Sequence, residues 1–375
     1  MATTSPQPAD VIERRALNRA FLARQLLLAR RTMPAEEALE HLVGLQAQAP
    51  IPPYYGLWTR LEDFRPAELA GLLTERRAVR IALMRGTVHL VTSADCRRLR
   101  PCLQPFMERS LITTFGKDLN GLDPAKVAAA GRELLEQSPL TVGDLSASLR
   151  TTWPDHPASA LGNVVRSLLP VIQIPPRGVW GQSGQTTYAT AEDWLGAPLD
   201  PEPDVDALVL RYLAAFGPAT VKDIQAWSGL TRLRAVTERL RPQMVPFRDE
   251  DGRELWDLPG APRPDPDTHA PVRYLAPYDN AILSHADRTR IISDEHRKAI
   301  ATKNAVIPGT ILVDGFVAGA WRTDRARGAT TLNVQLFHPV SKRRRAELAE
   351  EGERLLLFAS DGAGGREREL RIADA

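Results

Sequence analysis

Cysteine and lysine are both scarce in this 375-residue chain. Its two cysteines, Cys96 and Cys102, are too few and wrongly spaced for a disulfide framework or a metal knot, which points to a reducing, cytoplasmic setting. Only six of the 48 Lys and Arg side chains are lysine. Arginine suits bidentate contacts to phosphate; a GC-rich genome enriches it too, and the net charge of +2 decides nothing. No apolar run approaches the roughly 18 residues of a membrane span, and residues 1–10 have no apolar signal core. Missing too are His-Glu-x-x-His, Gly-x-Ser-x-Gly, a P-loop and a dinucleotide fingerprint in the right context. Gly181-Gln182-Ser183-Gly184 and residues 362–366 are glycine loops that open no helix, as a phosphate site would require. These absences exclude membrane-spanning, zincin, nucleotide-hydrolysing and dinucleotide-dependent classes, and no metal or cofactor is expected. What remains is a soluble chain of ordinary composition, 43% hydrophobic and 25% charged, long enough for several domains.

The clearest organisation is an internal repeat. Pro139-Leu140-Thr141-Val142-Gly143-Asp144-Leu145 recurs as Pro218-Ala219-Thr220-Val221-Lys222-Asp223-Ile224. In each copy Thr is placed to cap a helix and Asp, three residues on, to complete the cap. An amphipathic helix precedes each copy (126–137 and 206–216). A further helix (158–168 and 232–240) and strand-like pieces follow each. That order is a winged helix-turn-helix. The N-terminal third repeats it with helices at 17–30, 34–43 and 66–76 and a hairpin of 79–84 and 87–91 turning at Arg85-Gly86. Beyond the Pro-rich linker at 259–269, strand patterns and the turn signal Asp314-Gly315 mark a small β domain closed by a helix at 341–358. The expected fold is α+β: winged-helix units at 1–120, 121–200 and 201–262, then a β domain at 263–375.

Tandem winged helices point to nucleic acid. Arg76, Arg77, Arg80 and Arg85, at the third helix and wing of the first unit, are candidates for phosphate contact, or else a solvated basic face. His89, just past the turn, is a DNA contact or a structural histidine. His285-Ala286-Asp287-Arg288-Thr289-Arg290 reads as a hydrogen-bonded corner facing phosphate. A metal site there would need further ligands, and only Asp279 and His296 lie near in sequence.

Gly44-Leu45-Gln46-Ala47-Gln48-Ala49-Pro50 falls where a helix-turn-helix keeps its connection short. By itself it is a polar turn running into a Pro-rich bend with Tyr54, Tyr55 and Trp58. If 45–49 is extended, the two amides share a side. An amide has no usable pKa, so neither glutamine is a general base. An amide does hold a water in line and aims its carbonyl dipole at developing positive charge. That suffices where the leaving group departs readily, as does a purine already made cationic by alkylation at N7.

Gln46-Ala47-Gln48 after His41-Leu42-Val43-Gly44-Leu45, the 50–58 continuation, Arg85-Gly86-Thr87-Val88-His89-Leu90 and YLAPYDNAILSHADRTR at 274–290 together resemble the AlkZ-like (AlkZ and YcaQ) winged-helix DNA glycosylases, over about residues 10–360. The resemblance implies three winged-helix units in a C-shaped chain with a β-barrel-like C-terminal part. It implies excision of N-alkylated purines and unhooking of interstrand crosslinks made through purine N7. Catalysis falls to a Gln-x-Gln or Gln-x-Asp pair, carried over here to Gln46 and Gln48 alone. Having glutamine at both positions, this chain looks like the AlkZ type, which is associated with self-resistance to DNA-alkylating antibiotics. The expected protein is a monofunctional, monomeric glycosylase on double-stranded DNA, cytoplasmic and nucleoid-associated. No lysine near the pair offers a Schiff-base step. The rival reading is a non-catalytic winged-helix transcriptional regulator, usually a dimer on paired half-sites.

Overall fold

The structure is a computed structural model and describes residues 10–301, 306–326, 329–360 and 367–374; the glycine loop at 362–366 lies outside the described residues. The chain forms two compact units. One gathers Met1–Arg31, Val209–Ala226 and Arg232–Ala375, the other Thr32–Leu208 and Trp227–Thr231.

The repeated caps form as their sequence requires. Thr141 Oγ1 accepts from Asp144 N (3.1 Å) at the start of helix Val142–Thr152. At helix Val221–Ser228 the bonds are reciprocal: Asp223 N donates to Thr220 Oγ1 (3.1 Å) and Thr220 N donates to the Asp223 carboxylate (2.9 Å). Helix Ala158–Leu168 and strands Val171–Gln173 and Thr187–Thr190 follow the first copy. Helix Arg234–Leu240 and strands Val245–Asp249 and Glu254–Asp257 follow the second.

The Thr32–Leu208 part is built on a six-stranded sheet. Its order is Leu45–Gln46, Val88–Thr92, Ala78–Ala82, Val171–Gln173, Thr187–Thr190, Leu140–Thr141. Ala78–Ala82 and Val88–Thr92 are the antiparallel hairpin expected around Arg85-Gly86. The pairs Arg80↔Gln173 and Ile81↔Ile172 join this hairpin to the strands after the first repeat copy. Residues 52–58, read as a bend, instead form helix Pro52–Trp58. Prolines in a first helical turn forfeit no intrahelical bond, because those N–H groups have no partner there anyway.

In the other unit Val11–Ile12 pairs parallel to Val245–Asp249, which pairs with Glu254–Asp257. Its second sheet runs Arg273–Leu275, Gly309–Val313, Phe316–Ala326, Ala329–Leu336, Glu367–Ala373. Asp314 and Gly315 turn the central hairpin with φ of 50° and 84°, the left-handed pair that a two-residue type I′ turn needs. This sheet is open, which corrects the barrel-like expectation. Its edge strands, Arg273–Leu275 and Glu367–Ala373, do not pair with each other. Glu367–Ala373 was not foreseen. It returns parallel to Ala329–Leu336 after helix Lys342–Ser360, and a parallel return requires such a crossover. That helix packs Leu348 and Leu355 inward, and the Tyr274 hydroxyl donates to Leu348 O. Among the described residues no helix is long and apolar enough to cross a membrane.

Candidate functional site

The glutamine motif is held by the hairpin. Leu45 and Gln46 pair with Leu90 and His89, and Ala47 N donates to Val88 O (2.7 Å). The ladder would next need a backbone acceptor for Val88 N. The chain bends at Gln48, and the Gln48 side-chain carbonyl takes that N–H instead (3.3 Å). Gln48 is exposed.

Gln46 is 7% exposed, and its carbonyl oxygen accepts from Arg85 Nη2 (2.8 Å). Arg85 sits at the hairpin tip with φ of 57°, and its Nη1 donates to Trp227 O (2.9 Å). The guanidinium therefore bridges the glutamine to the Trp227–Thr231 segment. Among the described residues the Gln46 amide nitrogen donates to no protein group. Both amides thus lie against one hairpin end. Each carbonyl has one lone pair engaged and the other available.

Arg80 holds the motif from beneath. Its Nη2 donates to Ala47 O (2.8 Å), and the side chain is 2% exposed. Burial lowers its pKa to about 10, and the nearby Arg177 charge adds to that. Gly178 makes room for it: a Cβ there would stand 2.9 Å from Arg80 Cδ. Tyr54, on helix Pro52–Trp58, donates to Gly178 O (2.8 Å) and accepts from Trp180 N (3.0 Å). Tyr54 and Arg80 are supports that sequence reading missed or misassigned. The apolar spacing of helix Pro52–Trp58 was the available signal.

The proposed DNA contacts divide. Arg80 and His89 are interior, which corrects their assignment: a side chain with no surface cannot meet a phosphate. Arg85 is half-buried and turned to Gln46. Arg77 is exposed but paired with Glu36 and Glu75. Arg76 is exposed and lies over the Trp194 ring at 4.2 Å.

In the other unit His285 and Arg290 are buried, again a correction. His285 Nε2 donates to Phe216 O (3.0 Å) and Arg290 Nη1 to Pro218 O (2.7 Å). Asp287 pairs with Arg253 at 2.6 Å, and half-buried Arg288 is 3.4 Å from His285 O. With Ala286 N donating to Asp223 (2.9 Å), this motif braces the second capped helix. A cavity of about 870 Å³ beside it is lined by seven carboxylates and five cations, the wrong balance for phosphate. Among the described residues no cluster of His, Cys, Asp or Glu is placed to hold a metal ion.

His89 and His285 are both neutral. Burial, with Arg85 adding repulsion, lowers His89 from 6.5 to about 3. Burial, with Arg290, does the same to His285. The unfolded chain takes up these protons first, so stability falls with pH. It is full above about pH 6.5 and declines from there towards pH 3. The slope per histidine is about 1.4 kcal/mol per pH unit at most. Urea midpoints at pH 7, 6 and 5 should fall, and replacing His89 with Gln should flatten the slope.

The family described as DNA glycosylase AlkZ-like matches residues 39–358. The chain belongs to that family. It is a DNA glycosylase, and the earlier resemblance holds. The interstrand DNA cross-link repair glycosylase of Streptomyces sahachiroi is 25% identical over 340 residues, covering 80% of this chain and 85% of that protein. The solved structure of Streptomyces sahachiroi DNA glycosylase AlkZ has the same fold, with a TM-score of 0.78 at 19% identity over 97% of this chain and 100% of that one.

Proposed function

We propose that the protein hydrolyses the N-glycosidic bond of purines alkylated at N7, including those in interstrand crosslinks of the kind the Streptomyces relative's name describes, with Gln46 and Gln48 as its catalytic residues. The observation that carries this is the seating of both amides on one hairpin end, through Arg85 and the Val88 N–H. The Arg85 and backbone bonds orient the amides before substrate arrives, so little reorganisation is left for the reaction. The free lone pairs hold water and face the positive charge that develops on the sugar. Water forms the new bond to C1′, the C1′–N9 electron pair leaves with the base, and water's proton passes to solvent. The N7-alkyl cation becomes a neutral base, so no strong acid is needed. The order of helices and hairpins supports three winged-helix units in tandem, and the proposed enzyme acts as a monomer on nucleoid DNA.

The test is incubation with methylated duplex DNA. Free 7-methylguanine and alkali-labile abasic sites should appear together, and a crosslinked duplex should separate into single strands. Alkylated DNA recovered intact, with no base released, would overturn the reading.

A further inference from the structure

A pocket of about 240 Å³ opens between the 282–292 stretch and helix Asp294–Ala299, within the unit that carries the open sheet. Ile282, Ile292 and Ile300, at 2%, 2% and 6% exposure, form its floor. Its charged side chains are Arg288, Arg297 and Lys298, and none of the described residues lining it is a carboxylate. An apolar cavity of about 150 Å³ holds one benzene ring, so this one has room for a ring and a small substituent.

Arg288 is the unusual member. In the same unit, buried Arg24 and Arg273 each reach a carboxylate, at 2.6 and 3.7 Å, and buried Arg290 a backbone carbonyl at 2.7 Å. Arg288 is half-buried, yet among the described residues its one hydrogen bond is long, from Nε to His285 O at 3.4 Å. Its forked η nitrogens have no acceptor there. Burial, with the Arg297 charge adding repulsion, lowers its pKa from the usual arginine value. A guanidinium half out of water, beside a second cation and without an acid, is electrostatically poor until an anion joins it. Arg297 has Asp294 at 3.0 Å, and exposed Lys298 has no ion pair among the described residues.

The cations select an anion and the isoleucines an apolar body. A backbone phosphate has no apolar body to bury. A nucleobase would leave its N–H groups unpaired, because Arg and Lys side chains donate and never accept. We propose that the pocket binds a small apolar carboxylic acid. Its single ring or branched chain lies on the isoleucines, and its carboxylate takes the Arg288 fork, with Arg297 and Lys298 at the mouth.

Calorimetric titration of the full-length protein with benzoate, benzyl alcohol and inorganic phosphate, at one ionic strength, tests this. Benzoate should bind saturably at one site, and the other two far more weakly. Arg288→Met keeps the apolar stem and removes the fork, and should weaken benzoate by about ten- to a hundredfold, the usual worth of hydrogen bonds to a charged group. Leu283→Trp fills the pocket from a half-buried wall position and should abolish binding. Arg297→Gln with Lys298→Gln, both at exposed positions, should weaken binding by on the order of tenfold and keeps the test open if a wall variant misfolds. No saturable benzoate binding by wild type overturns the proposal. So does equal affinity for phosphate, which marks a bare cation cluster, or for benzyl alcohol, which marks an uncharged hollow. Wild-type affinity in any variant with a folded circular-dichroism spectrum overturns it as well. A duplex oligonucleotide that displaces benzoate, and whose own binding Arg288→Met weakens, would make this face part of the DNA interface instead. Base release plays no part in these readouts, so the catalytic reading stands or falls separately.

Discussion

Gln46→Ala and Gln48→Ala should each slow release of 7-methylguanine from methylated DNA by on the order of 10²–10³, the usual loss when one preorganised stabiliser of transition-state charge is removed. The loss should fall on kcat, because in the proposed mechanism the charge these amides face exists only as the glycosidic bond breaks. The two variants should differ in stability. Gln48 is exposed and gives up one 3.3 Å bond from Val88 N, so its alanine variant should melt close to wild type. Gln46 is buried, and its removal leaves the Arg85 guanidinium without that acceptor, so its variant should lose about 1–3 kcal/mol. Side chains acting on one water as a unit are not additive. The double variant should therefore be little slower than the worse single one. Single-turnover assays under saturating enzyme check this, and unchanged rates in all three variants would remove the glutamines from the mechanism.

The largest effect on stability should come from Asp257→Ala. Arg24 and Asp257, 1% and 0% exposed, form a bidentate pair at 2.6 and 2.9 Å, and Arg263 adds a second cation to the same carboxylate. Arg24 Nη1 also donates to Leu213 O (2.9 Å), so the pair ties the N-terminal helix Arg14–Arg24 to helix Val205–Phe216 and strand Glu254–Asp257. Removing the carboxylate leaves a guanidinium uncompensated in the interior, at a cost of about 3–5 kcal/mol. Chemical denaturation at neutral pH measures it. A loss below about 1 kcal/mol would mean that the pair behaves like an exposed one.

Some of this was legible in the chain because its causes are local. Thr141 and Asp144, like Thr220 and Asp223, meet within one helical turn, so their spacing alone predicts the caps. Asp314-Gly315 predicts its turn for the same reason: the backbone geometry belongs to those two residues. Misreadings arose where the partner is remote. Arg80, His285 and Arg290 look like surface cations in a string of letters, yet each is buried against backbone that the sequence does not mark as near. For Arg290 that backbone is Pro218 O, and for His285 it is Phe216 O. Strand Glu367–Ala373 was missed because its alternation is mostly polar and its pairing is with a strand before the preceding helix.

From sequence by itself came the repeated capped helix, the hairpin, the glutamine pair and the family, since each is written in neighbouring residues or in motifs read together. The folded chain decided that Arg85 and Val88 take one lone pair from each glutamine and that Arg80 carries Ala47 from below. Those arrangements depend on which strands lie side by side, and strand pairing is a long-range choice made by burial of the whole sheet rather than by any stretch of it.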